Sequence, residues 1–111
     1  MSVDREYLKH LTDVLAVNVD PERIYLFGSC ARGEDTEDSD IDLLLIKDTD
    51  LPRYERAREI GLLIRPRKYP LDLLIYTPGE FEELKDVVGT IPYKVAREGV
   101  LLYGRATQEA H

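Results

Sequence analysis

Three carboxylates and a glycine–serine turn are the residues of this chain whose types and spacing could do chemistry. Gly28-Ser29 is followed by a ten-residue spacer and then by Asp40-x-Asp42. A glycine–serine turn after a strand offers backbone N–H groups and a hydroxyl to phosphate. Two aspartates one residue apart on a strand point to the same side and can hold a divalent metal ion. A phosphate cradle beside metal-binding carboxylates indicates phosphoryl or nucleotidyl transfer.

Apolar strands are predicted at the points that would position these groups. Residues 24–27 lead into the turn, and residues 41–46 follow the aspartates. Alternation along the second strand places both of its aspartates on one face, at its amino-terminal end. A third predicted strand, residues 71–76, carries Asp72 near its start, so a further carboxylate can join the first two.

Helical spacing of apolar residues accounts for most of the remaining chain. Thr77-Pro78-Gly79-Glu80 has the pattern of a capping box, which marks a helix start. A last strand over 100–103, or an apolar tail, would close the chain. The helices are predicted at 3–17, within 54–64, at 78–86 and at 91–98, with a short one after Ser29.

The motif Gly28-Ser29, ten residues, Asp40-x-Asp42 resembles the signature of the polymerase-beta-type nucleotidyltransferase superfamily. The small size resembles its minimal nucleotidyltransferase (MNT) branch, and the resemblance extends to the closing residues 97–104. It implies an α/β fold with a small mixed sheet of three to four strands and helices packed mainly on one face. The chain is expected to be a single domain, residues 1–111.

The resemblance implies a site in which Asp40, Asp42 and Asp72 are the catalytic and metal-binding residues. Two Mg²⁺ ions are expected, with Mn²⁺ as the alternative, and ATP as the substrate. Such ions neutralise developing charge in phosphoryl transfer and need hard oxygen ligands. Asp72 would also help the acceptor hydroxyl lose its proton.

Four further residues are expected to bind the nucleotide. Gly28 lets phosphate approach the backbone, and Ser29 adds a hydroxyl. Arg32 can pair with phosphate through its planar guanidinium, or it can be an ordinary salt-bridging arginine. Ser39 can fix the first aspartate or cap the start of the strand.

Bulk composition excludes several classes of protein. The chain has 111 residues, 43% of them hydrophobic and 33% charged, which is typical of one folded domain rather than a disordered segment. Its net charge of −7 argues against direct binding of long nucleic acid. A single cysteine cannot form an internal disulfide, which suits a cytoplasmic location, and no apolar run predicts a membrane span.

Charge is unevenly spread along the sequence. Residues 34–50 hold eight acids and one base, whereas residues 53–68 hold six bases and two acids. Glu34–Asp38 is interpreted as a solvated acidic loop, and the basic stretch as an exposed helix face or a partner surface. Cys30 is interpreted as a buried small residue rather than a nucleophile, because neither histidine is near it in sequence.

The expected function is a metal-dependent nucleotidyltransferase that transfers AMP from ATP. Larger members of the superfamily carry a second domain for the acceptor, so a partner protein or a second copy of this chain is expected to supply that side. By resemblance, the partner is a HEPN-domain-like toxin that receives AMP on a tyrosine hydroxyl, which makes this chain its antitoxin. The alternatives are a non-catalytic nucleotide- or partner-binding antitoxin module and an enzyme that modifies small molecules.

Overall fold

The computed structural model describes residues 3–36, 39–64 and 69–105. Its elements alternate between helix and strand over most of the chain, as an α/β fold requires. In chain order they are α1 (Arg5–Val19), β1 (Arg23–Phe27), α2 (Gly28–Arg32), β2 (Ile41–Ile46), a 3₁₀ turn (Arg53–Glu55), α3 (Arg58–Leu63), β3 (Leu71–Tyr76), α4 (Pro78–Leu84), α5 (Ile91–Glu98) and β4 (Val100–Gly104).

The four strands form one mixed sheet in the order β3-β2-β1-β4. Strand β1 pairs antiparallel with both β2 and β4, and β2 pairs parallel with β3. The parallel pair needs a crossover, which the segment with the 3₁₀ turn and α3 provides. The predicted α/β class, the mixed sheet and the fourth strand are therefore confirmed.

Helices pack on both faces of the sheet, whereas the sequence led us to expect them mainly on one. Ile41, Leu43 and Leu45 of β2 pack into a core with α1 and α3. Leu44 and Ile46, on the opposite face, pack with side chains of α4 and α5. After Asp42, strand β2 has apolar side chains on both of its sides. Such a strand must be covered by other elements on each face.

The helix ends follow capping chemistry. The Asp4 side chain accepts a hydrogen bond from the Glu6 N–H at 2.9 Å and starts α1. The helix runs two residues past its predicted end and stops at Asp20, which adopts a left-handed conformation with φ 54°. The predicted capping box at Thr77 and Glu80 is present and starts α4.

The helix predicted within residues 54–64 is divided into the 3₁₀ turn and α3. Between them, the Arg56 guanidinium donates hydrogen bonds to the carbonyls of Leu51 and Ile75, at 2.8 and 3.1 Å. Pro66, which was expected to close this helix, lies outside the described residues. Within 3–36, 39–64 and 69–105, no helix combines the length and apolar character needed to span a bilayer.

Candidate active site

One row of residues crosses three strands at one end of the sheet. Asp42 of β2 is the register partner of Phe27 in β1 and of Asp72 in β3. Side chains at paired positions project from the same face of a sheet. Asp42 and Asp72 therefore lie side by side on the face covered by α4 and α5, at the amino-terminal ends of their strands.

Gly28 brings the predicted phosphate turn against this row. It follows Phe27 directly and has φ 75°, a conformation that disfavours any residue with a side chain. A Cβ atom added at Gly28 would overlap the Asp42 carboxylate. Glycine is thus required twice, by the backbone conformation and by the contact with Asp42.

Asp42 sits in an environment that opposes its negative charge. Burial raises the pKa of the Asp42 carboxyl, and the carboxylates of Asp72 and Asp40 raise it further. The positive charges of Lys94 and Arg32 act in the opposite direction without cancelling the rise. Asp40 and Asp72 are therefore each near enough to Asp42 to oppose its negative charge.

The repulsion of the Asp42 carboxylate by its neighbours bears on whether a divalent cation suits the site. In the described part of the chain, no group of three or more His, Cys, Asp or Glu side chains is arranged closely enough to hold a metal ion as it stands. Asp42 and Asp72 are aligned in register, while Asp40 lies exposed just before β2. The donor set nevertheless fits Mg²⁺, because hard carboxylate oxygens that repel one another would each gain from a shared cation.

The two predicted serines meet beside the turn. The Oγ atoms of Ser29 and Ser39, ten positions apart in the sequence, are 3.4 Å apart. Ser39 Oγ also accepts a hydrogen bond from the Thr36 N–H at 2.8 Å. The contact between the two hydroxyls holds the loop before Asp40 against the start of α2.

Cys30 has a structural role, because its side chain contacts the backbone of Asp40. Its side chain is buried, and the Sγ atom donates to the Asp40 carbonyl at 3.4 Å. Burial raises the pKa of the thiol, which keeps it protonated and a poor nucleophile at neutral pH. The interpretation of Cys30 as a buried residue is confirmed, and its contact with Asp40 is an addition to it.

Arg32, at the end of α2, is linked to helix α5 by an ion pair. Arg32 pairs with Glu34 at 2.8 Å and with Glu98 of α5 at 3.5 Å. Lys94, one helical turn before Glu98, acts electrostatically on Asp42. Sequence analysis did not single out Lys94, because nothing local in the sequence shows that α5 lies over this end of the sheet.

The acidic loop differs from its predicted solvated state at one residue. The Asp35 side chain is only 3% exposed, accepts from the Val3 N–H at 2.8 Å and pairs with Arg5 at 3.1 Å. It therefore ties the loop to the start of α1. Glu34 is exposed as expected, and Glu37 and Asp38 lie outside the described residues.

Comparison with known proteins adds to this geometry. A family model described as "Polymerase beta, Nucleotidyltransferase" matches residues 9–108. The comparison with curated proteins gives no match.

Several solved structures share the fold. A Sulfolobus solfataricus protein described as a candidate nucleotidyltransferase has a TM-score of 0.62 at 24% identity, over 91% of this chain and 80% of that one. A toxin–antitoxin MntA–HepT structure has a TM-score of 0.58 at 18% identity, over 96% and 77%. A toxin–antitoxin structure with AMP-PNP has a TM-score of 0.58 at 22% identity, over 93% and 77%. At these identities, the likeness establishes a common fold.

Proposed function

The chain belongs to the polymerase-beta nucleotidyltransferase family, as its Gly-Ser and Asp-x-Asp motifs predicted, and from this premise we propose that it transfers AMP from ATP to a hydroxyl of a partner protein. The observation that carries the proposal is the side-by-side placement of Asp42 and Asp72 at one end of the sheet, with Gly28 in close contact with Asp42. It joins a phosphate-accepting turn to aligned carboxylates on rigid strands, as in-line transfer requires.

The carboxylates would act together on the triphosphate. Asp40, Asp42 and Asp72 are the residues that would hold divalent cations, Mg²⁺ or Mn²⁺. Such ions supply charge neutralisation of the phosphates and of the attacking oxygen. The repulsion that Asp40 and Asp72 exert on Asp42 supports this role, because a bound cation would relieve it. Asp72, the exposed member of the aligned pair, would accept the proton of the acceptor hydroxyl.

The residues around the row would orient the nucleotide. The Gly28 backbone and the hydroxyls of Ser29 and Ser39 would contact phosphate oxygens. Arg32 would compensate phosphate charge if it exchanges its exposed partners Glu34 and Glu98 for the ligand. The new bond joins the acceptor oxygen to the α-phosphorus of ATP, the bond from that phosphorus to the pyrophosphate oxygen breaks, and pyrophosphate leaves.

The acceptor is proposed to be a HEPN-domain-like toxin, which makes this chain an antitoxin. Support comes from the MntA–HepT toxin–antitoxin structures that share the fold, and from a toxin–antitoxin structure of the same fold with the ATP analogue AMP-PNP. A reducing, ATP-containing cytoplasm is the compartment that suits the lone thiol of Cys30.

The test is transfer itself. The chain is incubated with Mg-ATP and the purified product of the adjacent reading frame, and the intact mass of each protein is measured. We expect an AMP-sized gain on the partner that disappears with EDTA and with Asp42→Asn. Asp13→Asn is the matched control, because Asp13 is an exposed carboxylate on α1 that pairs only with Lys9 in the described contacts.

The outcomes separate catalysis from sequestration. If the wild-type chain binds and neutralises the partner without any mass gain, and Asp42→Asn neutralises equally well, the chain is a binding module and the transfer proposal is wrong. Mass gain on a small molecule in place of the partner protein would contradict the proposed acceptor while retaining the reaction.

A further inference from the structure

Asp40 differs from the other two predicted metal ligands, because it lies outside the strands. Asp42 and Asp72 belong to β2 and β3, where the parallel hydrogen-bond ladder sets their positions. Asp40 is exposed and precedes β2, which begins at Ile41. The position of its carboxylate therefore depends on the contacts of the loop that leads to it.

Asp35 attaches that loop to the start of α1. One oxygen of its carboxylate accepts a hydrogen bond from the Val3 N–H at 2.8 Å, and the other accepts from the Arg5 guanidinium at 3.1 Å. The Asp35 side chain is only 3% exposed. A charged group so far out of water depends on its partners, so these contacts keep the loop and the helix in one relative position.

Hydrogen bonds link Asp35 to Asp40 along the loop. Thr36, directly after Asp35, donates its N–H to Ser39 Oγ at 2.8 Å, and the Ser39 N–H donates to the Thr36 carbonyl at 3.1 Å. Ser39 directly precedes Asp40. The Asp40 carbonyl in turn accepts from Cys30 Sγ at 3.4 Å. Asp40 is thus held between a turn that Asp35 anchors and a buried side chain of α2.

The ion pair of Arg5 and Asp35 also lies near Cys30. Burial raises the pKa of the Cys30 thiol, and the charges of Asp35 and Arg5 act on that pKa in opposite directions. The ion pair and the backbone of Asp40 therefore have Cys30 as a common neighbour. Loss of the ion pair would disturb Asp40 through Cys30 as well as through the loop.

We propose that Asp35 is a positioning residue for the metal site, and that it holds Asp40 within reach of a cation shared with Asp42 and Asp72. This role rests on the proposed function, which assigns divalent cations to those three carboxylates. Asp35 itself would touch neither the cation nor the nucleotide. Residues that orient metal ligands without contacting the metal change metal affinity by about 10–100-fold when they are replaced.

The test is a cycle of Mn²⁺ affinities for the full chain. Binding of Mn²⁺ alone is measured from the electron paramagnetic resonance signal of the free ion, for the wild type, Asp35→Asn, Asp40→Asn and the double variant. Asparagine can still accept from the Val3 N–H, but it cannot form the ion pair with Arg5. Asp35→Asn should weaken Mn²⁺ binding about tenfold in the wild-type chain. It should have no effect in Asp40→Asn, because Asp35 acts through Asp40.

Two control variants separate positioning from a general effect of charge. Asp13→Asn removes the same charge from an exposed site on α1, so Mn²⁺ affinity should stay within about twofold of the wild type. Arg5→Lys keeps a cation beside Asp35 and should retain most of the wild-type affinity. Arg5→Ala should weaken binding as Asp35→Asn does. Because the Arg5 side chain is 49% exposed, Arg5→Ala should fold even if Asp35→Asn does not, which circular dichroism checks.

The outcomes are distinct from those for AMP transfer, because the measurement contains neither ATP nor a partner protein. The proposal is overturned if the wild-type chain binds no Mn²⁺, or if Asp35→Asn and Arg5→Ala both bind it as tightly as the wild type. It is also overturned if Asp35→Asn weakens binding equally with and without Asp40. Absence of AMP transfer together with the expected cycle would contradict the proposed reaction and retain the positioning role.

Discussion

The carboxylates at the two ends of strands β2 and β3 have pKa values that are shifted in opposite directions. At the amino-terminal end, burial and the neighbouring Asp72 and Asp40 raise the pKa of Asp42. Just beyond the carboxyl-terminal end of β3, hydrogen bonds from Arg56 at 2.6 and 3.1 Å lower the pKa of Glu80 to about 2. At the carboxyl-terminal end, Arg56 compensates the charge of Glu80 within the chain. At the amino-terminal end, Asp42 is repelled by neighbouring carboxylates, and a bound cation would relieve that repulsion. The contrast separates a stabilising ion pair from a candidate catalytic centre.

The largest expected effect is on catalysis at the uncompensated end. Asp42→Asn keeps the shape of the side chain but removes a charged metal ligand, so AMP transfer should fall by about 10²–10³-fold. The measurement is the initial rate of AMP incorporation into the partner. Glu82→Gln, an exposed acid on α4, should retain the wild-type rate. A wild-type rate in Asp42→Asn would remove Asp42 from the reaction.

The contact between Gly28 and Asp42 can be isolated by a pair of glycine substitutions. Gly33→Ala should cost about 1–2 kcal/mol, because Gly33 has φ 74° but open space around its α-carbon. Gly28→Ala carries the same conformational cost at φ 75° and also forces a Cβ against Asp42, which adds about 1–3 kcal/mol. Urea denaturation measures both. Equal costs for the two variants would contradict the close approach of the turn to the carboxylate.

At the compensated end, Glu80→Gln should destabilise the fold by about 1.5–3 kcal/mol. Glutamine can still complete the capping box, so the loss reports the charged hydrogen bonds to Arg56, whose side chain is only 7% exposed. Because the folded-state pKa of Glu80 lies below its usual 4.5, this stabilisation is complete above about pH 4.5 and is lost as the pH falls towards 2.

Thermal denaturation across that pH range checks the loss. The Glu80→Gln variant should converge on the wild-type stability as the pH approaches 2, and a difference that is constant with pH would contradict the charge assignment. Glu82→Gln is the matched control, because its ion pair with Lys85 is exposed and should contribute less than about 1 kcal/mol.

The smallest expected effect is a gain in stability at the uncompensated end. In the absence of divalent metal, Asp42→Asn should stabilise the fold by about 0.2–1 kcal/mol at neutral pH, since like charges directly opposite each other on paired strands repel. The folded-state pKa of Asp42 is above its usual 3.8, so wild-type stability is lost as the pH rises through the raised value. The gain should shrink as the pH falls towards 3.8.

Added Mg²⁺ should reverse this order of stabilities. It should raise the melting temperature of the wild-type chain more than that of Asp42→Asn, because the variant lacks one ligand charge. Asp86→Asn, at an exposed carboxylate, should respond to Mg²⁺ as the wild-type chain does. If Asp42→Asn is the less stable protein without metal, the repulsion inferred at this end is absent.

Local sequence signals were sufficient for most of the fold. The alternation of residues 41–46 and 71–76 gave both strands with their observed bounds, because period-two patterning within one strand is readable without tertiary information. The capping box at Thr77 gave the start of α4 for the same reason. The parallel pairing of Asp42 with Asp72 was not predicted, because strand register depends on contacts distant in sequence; the resemblance implied only that the two carboxylates share one site.

The features that sequence analysis missed all depend on tertiary placement. Asp35 is buried because α1 begins beside it, and Lys94 acts electrostatically on Asp42 because α5 packs on the same face of the sheet. Helices cover both faces because, beyond Asp42, β2 has apolar side chains on both of its sides. The uneven charge of residues 34–68 was visible in the sequence, but the sequence did not show which of these charged side chains form ion pairs.

The pairing of Phe27, Asp42 and Asp72 across three strands links activity to foldability. A slip of one residue in β2 would turn Asp42 towards α1 and expose Ile41 or Leu43 on the opposite side. The alignment of the carboxylates is therefore maintained by the same hydrogen-bond ladder that keeps the core apolar. A homologue without catalytic activity would therefore still hold positions 42 and 72 side by side. Only the residue types at these two positions would be free to change.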